Sequence, residues 1–303
     1  MSPHTNPVSI RTRSHGHRSA REKFVLVIAA ISTGFVFVCF ASLLVFLGLE
    51  WWQHRHVTAL SPSLAPAIVG TVMVTFVATL IVMPLGVVAA IYLSEFADRK
   101  AITVRALRVL IRNMAAMPPI VYGAFGLGFF VRFVGQVYDD VARTHTAILG
   151  RPNLLWAGCT FALLAMPVVI VTTEDALRKV PNSLREASLA LGASPVYATI
   201  RVILPPARTG IFRAAVLAIS QVTGEVTPLL VTGAIFSTNE PRVGLTEPFS
   251  HLGYTAFVLA ERAESASGSN QLYSALIALL VVTLALNIVA IVLRHVHTDD
   301  SSG

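Results

Sequence analysis

Glu225 is the residue with the clearest chemical potential in this sequence, because its carboxylate lies about midway along an apolar run, residues 211–236. A carboxylate at the centre of a bilayer costs about 2.5–3.5 kcal/mol on insertion scales, so it is expected to face a helix bundle or a water-filled cavity. Gln221 precedes it by four residues and shares its helical face. The pair predicts a polar path across a membrane, with a structural polar cluster that holds helices together as the alternative.

The residues around Glu225 add to this candidate path. Thr223 and Thr227 supply hydroxyl groups on either side of the carboxylate. Pro228 cannot donate a hydrogen bond to the carbonyl of Gly224, so it is expected to loosen the helix beside Glu225. Three glycines of an earlier apolar run are expected to allow close helix packing rather than to contact a ligand. These glycines are Gly123, Gly126 and Gly128.

No constellation in the sequence indicates an enzyme. It contains no nucleophile–base pair and no cluster with metal-ligand spacing, and both cysteines, Cys39 and Cys159, lie inside apolar runs. A Gly-x-x-x-x-Gly-Lys-Ser/Thr loop for binding nucleotide phosphates is also missing. We therefore predict no catalytic residue, no metal site and no cofactor in this chain, and we expect any ATP to be bound by a partner subunit.

The composition places these residues in a membrane. Hydrophobic residues make up 54% of the 303 residues and charged residues 13%, about half the ~25% of a soluble domain. Six apolar runs are each long enough to cross about 30 Å of hydrocarbon as a helix. They cover residues 24–49, 68–93, 114–134, 154–173, 211–236 and 272–293. The sequence thus predicts an all-α integral membrane protein with six transmembrane helices.

The distribution of Lys and Arg predicts the orientation. The net charge is +7, and the cations concentrate in the N-terminal tail and in the 94–112 and 174–213 loops. The positive-inside rule places these segments and both termini in the cytoplasm. Because the cations flank apolar runs and form no stripe interleaved with aromatic residues, we expect no nucleic-acid partner.

The remaining segments follow from this orientation. Residues 1–23 are predicted to be a disordered cytoplasmic tail and residues 295–303 a second cytoplasmic tail. The 50–67, 135–153 and 237–271 loops are expected to face outward, and residues 265–269, Ser-Ala-Ser-Gly-Ser, are expected to be flexible.

The cytoplasmic loop 174–210 has the most local signals. Ser183 and Glu186 have the spacing of a capping box, which predicts the start of a short helix. Gly192 is placed to end that helix, and Ser194-Pro195 to cap and begin a second one. Leu204-Pro205-Pro206 is expected to stop the second helix.

The second short helix carries an apolar stripe formed by Val196, Ile200 and Ile203. The loop is therefore predicted to contain two amphipathic helices joined at a glycine. One possibility is that they lie in the lipid headgroup region, and the other is that they dock in a groove of a partner protein.

The pattern Glu186-Ala187-Ser188, then Gly192, then Val202-Ile203-Leu204-Pro205 resembles the EAA motif of ABC importer permeases. Ser188 replaces the second alanine of the motif and Val202 replaces its isoleucine. The resemblance implies that the 174–210 segment is a coupling loop, which docks on a cytoplasmic ATPase subunit through these residues.

Three further segments resemble phosphate-specific ABC permeases, and their A-type subunit more than the C-type. They are Leu85-Gly86-Val87-Val88-Ala89-Ala90-Ile91-Tyr92-Leu93-Ser94-Glu95-Phe96, Met117-Pro118-Pro119-Ile120-Val121-Tyr122-Gly123 and Gly224-Glu225-Val226-Thr227-Pro228-Leu229-Leu230. The resemblance begins near residue 67, so residues 67–294 are expected to form the permease core. The first helix and the tail before it are generic.

The resemblance implies an ABC type I importer permease architecture in the cytoplasmic (inner or plasma) membrane of a prokaryote. Its expected activity is the translocation of inorganic phosphate. The expected partners are a homologous second permease subunit, two copies of an ATPase subunit, an extracytoplasmic phosphate-binding protein and the lipid bilayer.

One position departs from the family pattern. Phosphate permeases of this type resemble Arg-x-x-Gly-Glu where this chain has Gln221-Val222-Thr223-Gly224-Glu225. Phosphate favours charge-assisted partners, and an unpaired Glu225 would repel it. We hypothesise that an arginine of the partner permease supplies the positive charge. The alternatives are another oxyanion, such as molybdate or sulfate, and a regulatory subunit without its own transport path.

Overall fold

The computed structural model describes residues 20–53, 64–98, 100–143, 147–232, 234–236, 244–262 and 266–299. Within these ranges the chain is built from helices, as the sequence predicts. They are α1 (Ala20–Gln53), α2 (Ala65–Ile91), α3 (Ile102–Ala115), α4 (Pro119–Phe125), α5 (Gln136–Val141), α6 (Leu154–Arg178), α7 (Asn182–Ala190), α8 (Pro195–Ala198), α9 (Leu204–Gly224), α10 (Leu229–Thr232), α11 (Leu252–Glu261) and α12 (Ala266–Asp299).

Six helical stretches are long and apolar enough to cross a membrane, which confirms the predicted number. They are Phe24–Phe46, Ala65–Phe96, Pro119–Val141, Leu154–Arg178, Pro195–Gly224 and Gln271–Val292. The chain is therefore a multi-pass membrane protein. The placement of both termini in the cytoplasm remains a prediction.

The α1 helix belongs to a separate unit, residues 1–53. Apolar side chains such as Phe24, Ile31 and Val38 are about two-thirds exposed along it, as expected for a helix surrounded by lipid. The predicted tail 1–23 is too long, because residues 20–23 are helical, and its remainder lies outside the described residues.

The second unit, residues 54–303, is organised around α6. This helix packs between α2 and α9 through a core that includes Val74, Phe161 and Ala218, all fully buried. Small residues bring the backbones together, since a β-carbon at Gly86 would lie 2.6 Å from a methyl group of Val169. The α6 helix thus packs against both the second and the fifth span.

The second and fifth spans both contain π-helical segments. The α2 helix continues as Tyr92–Phe96, and Thr199–Ile203 joins α8 to α9. The prediction that Leu204-Pro205-Pro206 stops the second short helix is wrong. The prolines occupy the first turn of α9, where a missing N–H costs least, so the chain passes from the coupling loop into the fifth span without a break.

The predicted fifth span, residues 211–236, is not one continuous helix. The α9 helix ends at Gly224, and Glu225 has an extended backbone (φ −101°, ψ 132°). Pro228 would leave a helical carbonyl unpaired and clash with the preceding turn, and Thr227 before it disfavours helix. The chain therefore leaves the helix instead of kinking it, and it resumes as the short α10.

Two predicted loops contain helices. The α3 helix begins in the 94–112 loop and ends at Ala115, and α11 lies in the 237–271 loop. Of residues 265–269, which are expected to be flexible, 266–269 form the first turn of α12, and residue 265 lies outside the described residues. The tail predicted from residue 295 is likewise helical to Asp299, and residues 300–303 lie outside the described residues.

Candidate functional site

The turn between α7 and α8 has the geometry that the sequence predicts. Gly192 has φ +84°, a left-handed conformation that glycine adopts without strain. Its N–H donates to the carbonyl of Leu189 (2.9 Å), and the N–H of Ala193 donates to that of Ser188 (3.2 Å). This pair of bonds is a complete Schellman motif. The Ser194 hydroxyl then accepts from the N–H of Tyr197, which starts α8 as predicted.

The predicted capping box at Ser183 does not form. The N-cap of α7 is Pro181, two residues before the predicted Ser183, and no side chain caps the helix. The Asn182 side chain instead accepts a hydrogen bond from Arg185 (3.0 Å), while the N–H of Leu184 donates to the carbonyl of Pro181. Glu186 is left exposed at the surface rather than folded back on the helix start.

The coupling loop is anchored on one side only. Ile203 packs with Leu177 and Val180 in a small buried cluster against the end of α6. On the other side, Leu191 is 89% exposed and Tyr197 58% exposed. The outer surface of the loop is therefore apolar and uncovered within the described chain.

The motif residues divide between these two sides. Glu186, Ala187, Gly192 and Pro205 are exposed, Leu204 is half-buried and Ser188 is buried. Of the predicted stripe, Val196 and Ile200 are exposed and Ile203 alone is buried, so the stripe is not one continuous buried face.

A cavity of about 670 Å³ lies beside the glycine turn. Its lining includes Ala187, Leu191 and Tyr197 and is largely apolar. Such a cavity next to exposed apolar side chains is suited to receive side chains of a partner protein.

Arg185 ties the coupling loop to the end of the second span. Its guanidinium donates to both carboxylate oxygens of Glu95, at 3.0 and 2.9 Å, and also to the carbonyls of Leu177 and Val180. The carboxylate is 7% exposed and the guanidinium 19%. A bidentate, nearly buried pair of this kind fixes the position of the coupling loop relative to the end of the second span.

A second ion pair lies at the same end of the molecule. Arg108 of α3 donates to Glu174 of α6 (3.1 Å) and to the carbonyl of Leu93 (2.7 Å). Arg178 approaches the same Glu174 oxygen at 3.5 Å. Sequence reasoning missed both pairs, because the partners are separated by 66 and 90 residues and no local spacing signals them.

The candidate path residues meet at the end of α9. The side-chain carbonyl oxygen of Gln221 is buried and has no hydrogen-bond partner among the described residues. The Glu225 carboxylate accepts from the N–H of Thr227 (3.0 Å), and no described cation pairs with it. The shared helical face predicted for Gln221 and Glu225 is wrong, because the helix ends between them.

Thr223 and Pro228 have structural contacts. The Thr223 hydroxyl donates to the carbonyl of Ile219 (2.7 Å), so it is used inside the helix. Pro228 is buried against Gly123, where an added β-carbon would lie 2.7 Å from the proline carbonyl oxygen. Gly126 is equally tight against Thr160, which confirms close packing at these two glycines.

The expectation for Gly128 is wrong, since a β-carbon there would meet no atom within 4 Å. This glycine is exposed on the surface of the third span and makes no close helix contact with the described part of the chain. Of the three predicted glycines, Gly123 and Gly126 are therefore the two that allow close packing.

His251 belongs to the turn before α11, which packs on the broken segment. It is fully buried, its Nδ1 accepts from the N–H of Gly253 (3.1 Å) at the start of α11, and its Nε2 has no described partner. A β-carbon at Gly253 would overlap a methyl group of Val226, so this turn packs directly on the residue after Glu225. Burial lowers the pKa of His251 to about 4.

Comparison with known proteins gives a consistent pattern. Residues 82–298 match the family described as binding-protein-dependent transport system inner membrane component. The chain is 34% identical to the phosphate transport system permease protein PstA of Yersinia pestis over 228 residues, 75% of this chain and 70% of that protein. It is 30% identical to the probable phosphate transport system permease protein PstA of Methanocaldococcus jannaschii over 262 residues, 84% of each.

Solved structures share the fold. A chain of the inward-facing MetNI methionine ABC transporter superposes with a TM-score of 0.58 at 19% identity, covering 77% of this chain and 95% of that one. A chain of the bacterial alginate ABC transporter, in complex with its alginate-bound periplasmic protein, gives a TM-score of 0.67 at 14% identity. That alignment covers 89% of this chain and 93% of the other.

Proposed function

This chain belongs to the family of binding-protein-dependent transport system inner membrane components, and on that basis we propose that it is the transmembrane permease subunit of an ATP-driven importer of inorganic phosphate. The observation that carries the solute is its similarity, over most of both chains, to proteins described as phosphate transport permeases from a bacterium and an archaeon. The fold of importer permeases and the six spans agree with this assignment.

The coupling loop is the proposed docking site of a cytoplasmic ATPase. Its support is the motif from Glu186 to Pro205, together with the exposed side chains of Leu191 and Tyr197 and the cavity beside them. Two copies of the ATPase would act on this chain and on a homologous second permease. ATP binding and hydrolysis belong to the ATPase, and this chain supplies no catalytic residue.

The broken fifth span is the proposed solute path. An extended segment at membrane depth is tolerated only where it is buried in protein or lines a cavity. Glu225 and the unpartnered oxygen of Gln221 lie at this break, and we assign them to the path together with Thr227. Thr223 and Pro228 support the path through backbone contacts rather than by binding solute.

The path needs positive charge that this segment does not carry. Phosphate binds best to charge-assisted donors, and Glu225 alone would repel it. We assign the missing charge to an arginine of the second permease, on the opposite side of the path. An extracytoplasmic phosphate-binding protein would deliver the solute from the side opposite the coupling loop, in the cytoplasmic membrane of a prokaryote.

A second candidate solute is favoured by one observation. Gln221 stands where the phosphate permeases carry arginine, so the charged residue expected for phosphate is missing from this chain. Molybdate and sulfate are the alternative oxyanions. A regulatory subunit without its own path is the other alternative.

Uptake measurements separate these functions. Radiolabelled phosphate, sulfate and molybdate are each offered to a strain that lacks this chain, with and without a plasmid copy of it. Phosphate uptake that returns only with the plasmid supports the proposal. Restoration of sulfate or molybdate uptake instead would reassign the solute, and unchanged phosphate uptake in the deletion strain would indicate a regulatory role.

A further inference from the structure

A groove of about 570 Å³ lies between the end of α6 and the first half of α9. The two helices touch at its floor, where a β-carbon at Gly210 would overlap the methyl group of Ala176. Lys179 and Arg213 line the groove, and Thr172 and Thr209 add hydroxyl groups. The groove therefore combines a tight apolar floor with polar, mainly cationic walls.

The two cations of the groove are unpaired, unlike the arginines nearby. Neither Lys179 nor Arg213 forms a side-chain hydrogen bond or an ion pair within the described part of the chain. Arg108 and Arg185, at the same end of the molecule, are each paired with a glutamate. Asp175 is the one carboxylate that lines the groove, so the charge of its lining is +1. An anion bound there would meet two cationic side chains, those of Lys179 and Arg213, whose N–H donors are available.

The groove continues the proposed path toward the coupling loop. Arg213, Leu217 and Gln221 are spaced by four residues on α9, so they follow one side of the helix. Arg213 and Leu217 line the groove, and Gln221 lies one turn further along. At 1.5 Å per residue, Arg213 is about 12 Å from Gln221 along the helix axis.

We infer that this groove is a binding site for a phosphate group, held by the Lys179 ammonium and the Arg213 guanidinium. Both donors form charge-assisted hydrogen bonds with phosphate oxygens, and the guanidinium can do so with two bonds. The phosphate group comes either from inorganic phosphate leaving the path or from the headgroup of an anionic lipid of the adjacent leaflet. The first source rests on the proposed function, and the second does not.

The test uses the complete permease–ATPase complex in nanodiscs, without the binding protein. One arm measures equilibrium binding of radiolabelled inorganic phosphate in phosphatidylcholine. The other uses native mass spectrometry to measure retention of phosphatidylglycerol from mixed nanodiscs. The Lys179→Gln, Arg213→Gln double variant should weaken binding by at least about tenfold in at least one arm, because it removes both charge-assisted donors.

Two control variants separate loss of the site from loss of folding. Lys179→Arg with Arg213→Lys keeps both charges and should bind as the unaltered protein does. Arg112→Gln removes one exposed charge of α3, away from the groove, and should also bind normally. If the double glutamine variant binds both phosphate and phosphatidylglycerol as the unaltered complex does, or if the charge-retaining variant loses binding equally, the groove is not such a site.

Failure of the proposed function has a different signature. Phosphate uptake by the unaltered complex is measured in proteoliposomes with its binding protein. Absence of that uptake would contradict the importer assignment, whereas normal uptake with unchanged binding in both arms would contradict the groove site alone.

Discussion

Glu95 and Arg185 are 90 residues apart in the sequence and form a two-point ion pair, with N–O distances of 3.0 and 2.9 Å. The carboxylate belongs to the π-helical end of the second span, and the guanidinium belongs to the α7 helix of the coupling loop. Arg185 also donates to the carbonyl of Leu177, in the last turn of the fourth span, and to that of Val180, just beyond its end. These bonds join the coupling loop to the ends of the second and fourth spans, so we expect a displacement of the loop to move both.

Breaking this pair should uncouple ATP hydrolysis from transport. Arg185→Ala leaves the Glu95 carboxylate nearly buried without its partner, a loss of about 3 kcal/mol for a buried pair. We expect a lower melting temperature of the purified complex and ATPase activity that no longer responds to the binding protein. The ratio of phosphate transported to ATP hydrolysed measures this change.

Arg185→Lys and Arg112→Ala complete that experiment. Lysine keeps the charge and loses the fork that binds both carboxylate oxygens, so an intermediate effect is expected. Arg112 is exposed on α3, and its removal should leave coupling intact. Normal coupling in Arg185→Ala would show that the pair stabilises the fold without transmitting movement.

Gly192 should be sensitive to side chains that resist a left-handed backbone. Gly192→Val places a β-branched residue at φ +84°, at a cost of about 1–2 kcal/mol or more, and distorts the turn between α7 and α8. We expect the ATPase subunit to be lost during affinity purification of the complex. Gly192→Asn is the matched control, because asparagine tolerates this conformation. Equal ATPase retention in both variants would contradict a docking role for the turn.

The glycine turn was predictable because its determinants are local. Gly192, Ser194 and Pro195 act within one turn of each other, and each behaves as its residue type requires. The ion pair of Glu95 and Arg185 was not predictable, since charge type and burial depend on how distant segments pack. The number of spans was likewise predictable from apolar length alone, whereas the bounds of the fifth span were not.

The break at Glu225 was predictable only in part. Pro228 signalled a disturbance of the helix, and the apolar run around it suggested a kink within one continuous span. What the sequence did not indicate is the packing of Pro228 on Gly123, or that of Val226 on the turn at Gly253. These contacts come from remote segments, and they allow the chain to leave the helix at membrane depth.

Gly123→Ala should disturb the break more than Gly128→Ala does, although both glycines lie in the third span. A methyl group at Gly123 would lie 2.7 Å from the Pro228 carbonyl oxygen, so the 225–228 segment must shift. Overpacking of this kind costs about 1–3 kcal/mol. We expect reduced phosphate uptake and a lower melting temperature. At Gly128 the methyl group meets no atom within 4 Å, and both measurements should be unchanged.

His251 should make the stability of the protein depend on pH. Burial lowers its pKa from 6.5 to about 4, so between these values the unfolded chain binds a proton that the folded chain does not. Stability therefore falls as the pH is lowered through this window, by about 2 kcal/mol between pH 7 and pH 5. Thermal unfolding of the purified complex across that range measures the loss.

His251→Asn tests the origin of this pH dependence. Asparagine can still accept the hydrogen bond from the N–H of Gly253 that caps α11, and it does not titrate. The variant should keep its melting temperature near pH 7 and lose less stability at pH 5 than the unaltered protein. An identical loss at pH 5 in both proteins would assign the pH dependence to other groups.

Gln221→Arg should change anion binding at the path. The guanidinium would be placed one turn before Glu225, at a site where the Gln221 carbonyl oxygen is buried without a partner. It would offset the negative carboxylate and offer charge-assisted donors to an anion, each worth about 1.5–3 kcal/mol. We expect the apparent affinity for phosphate, measured by uptake in proteoliposomes, to rise about tenfold, with an altered preference over sulfate. Gln221→Met, similar in size and uncharged, is the control. If both variants transport like the unaltered protein, charge at residue 221 does not affect the solute, and the path lies elsewhere in the bundle.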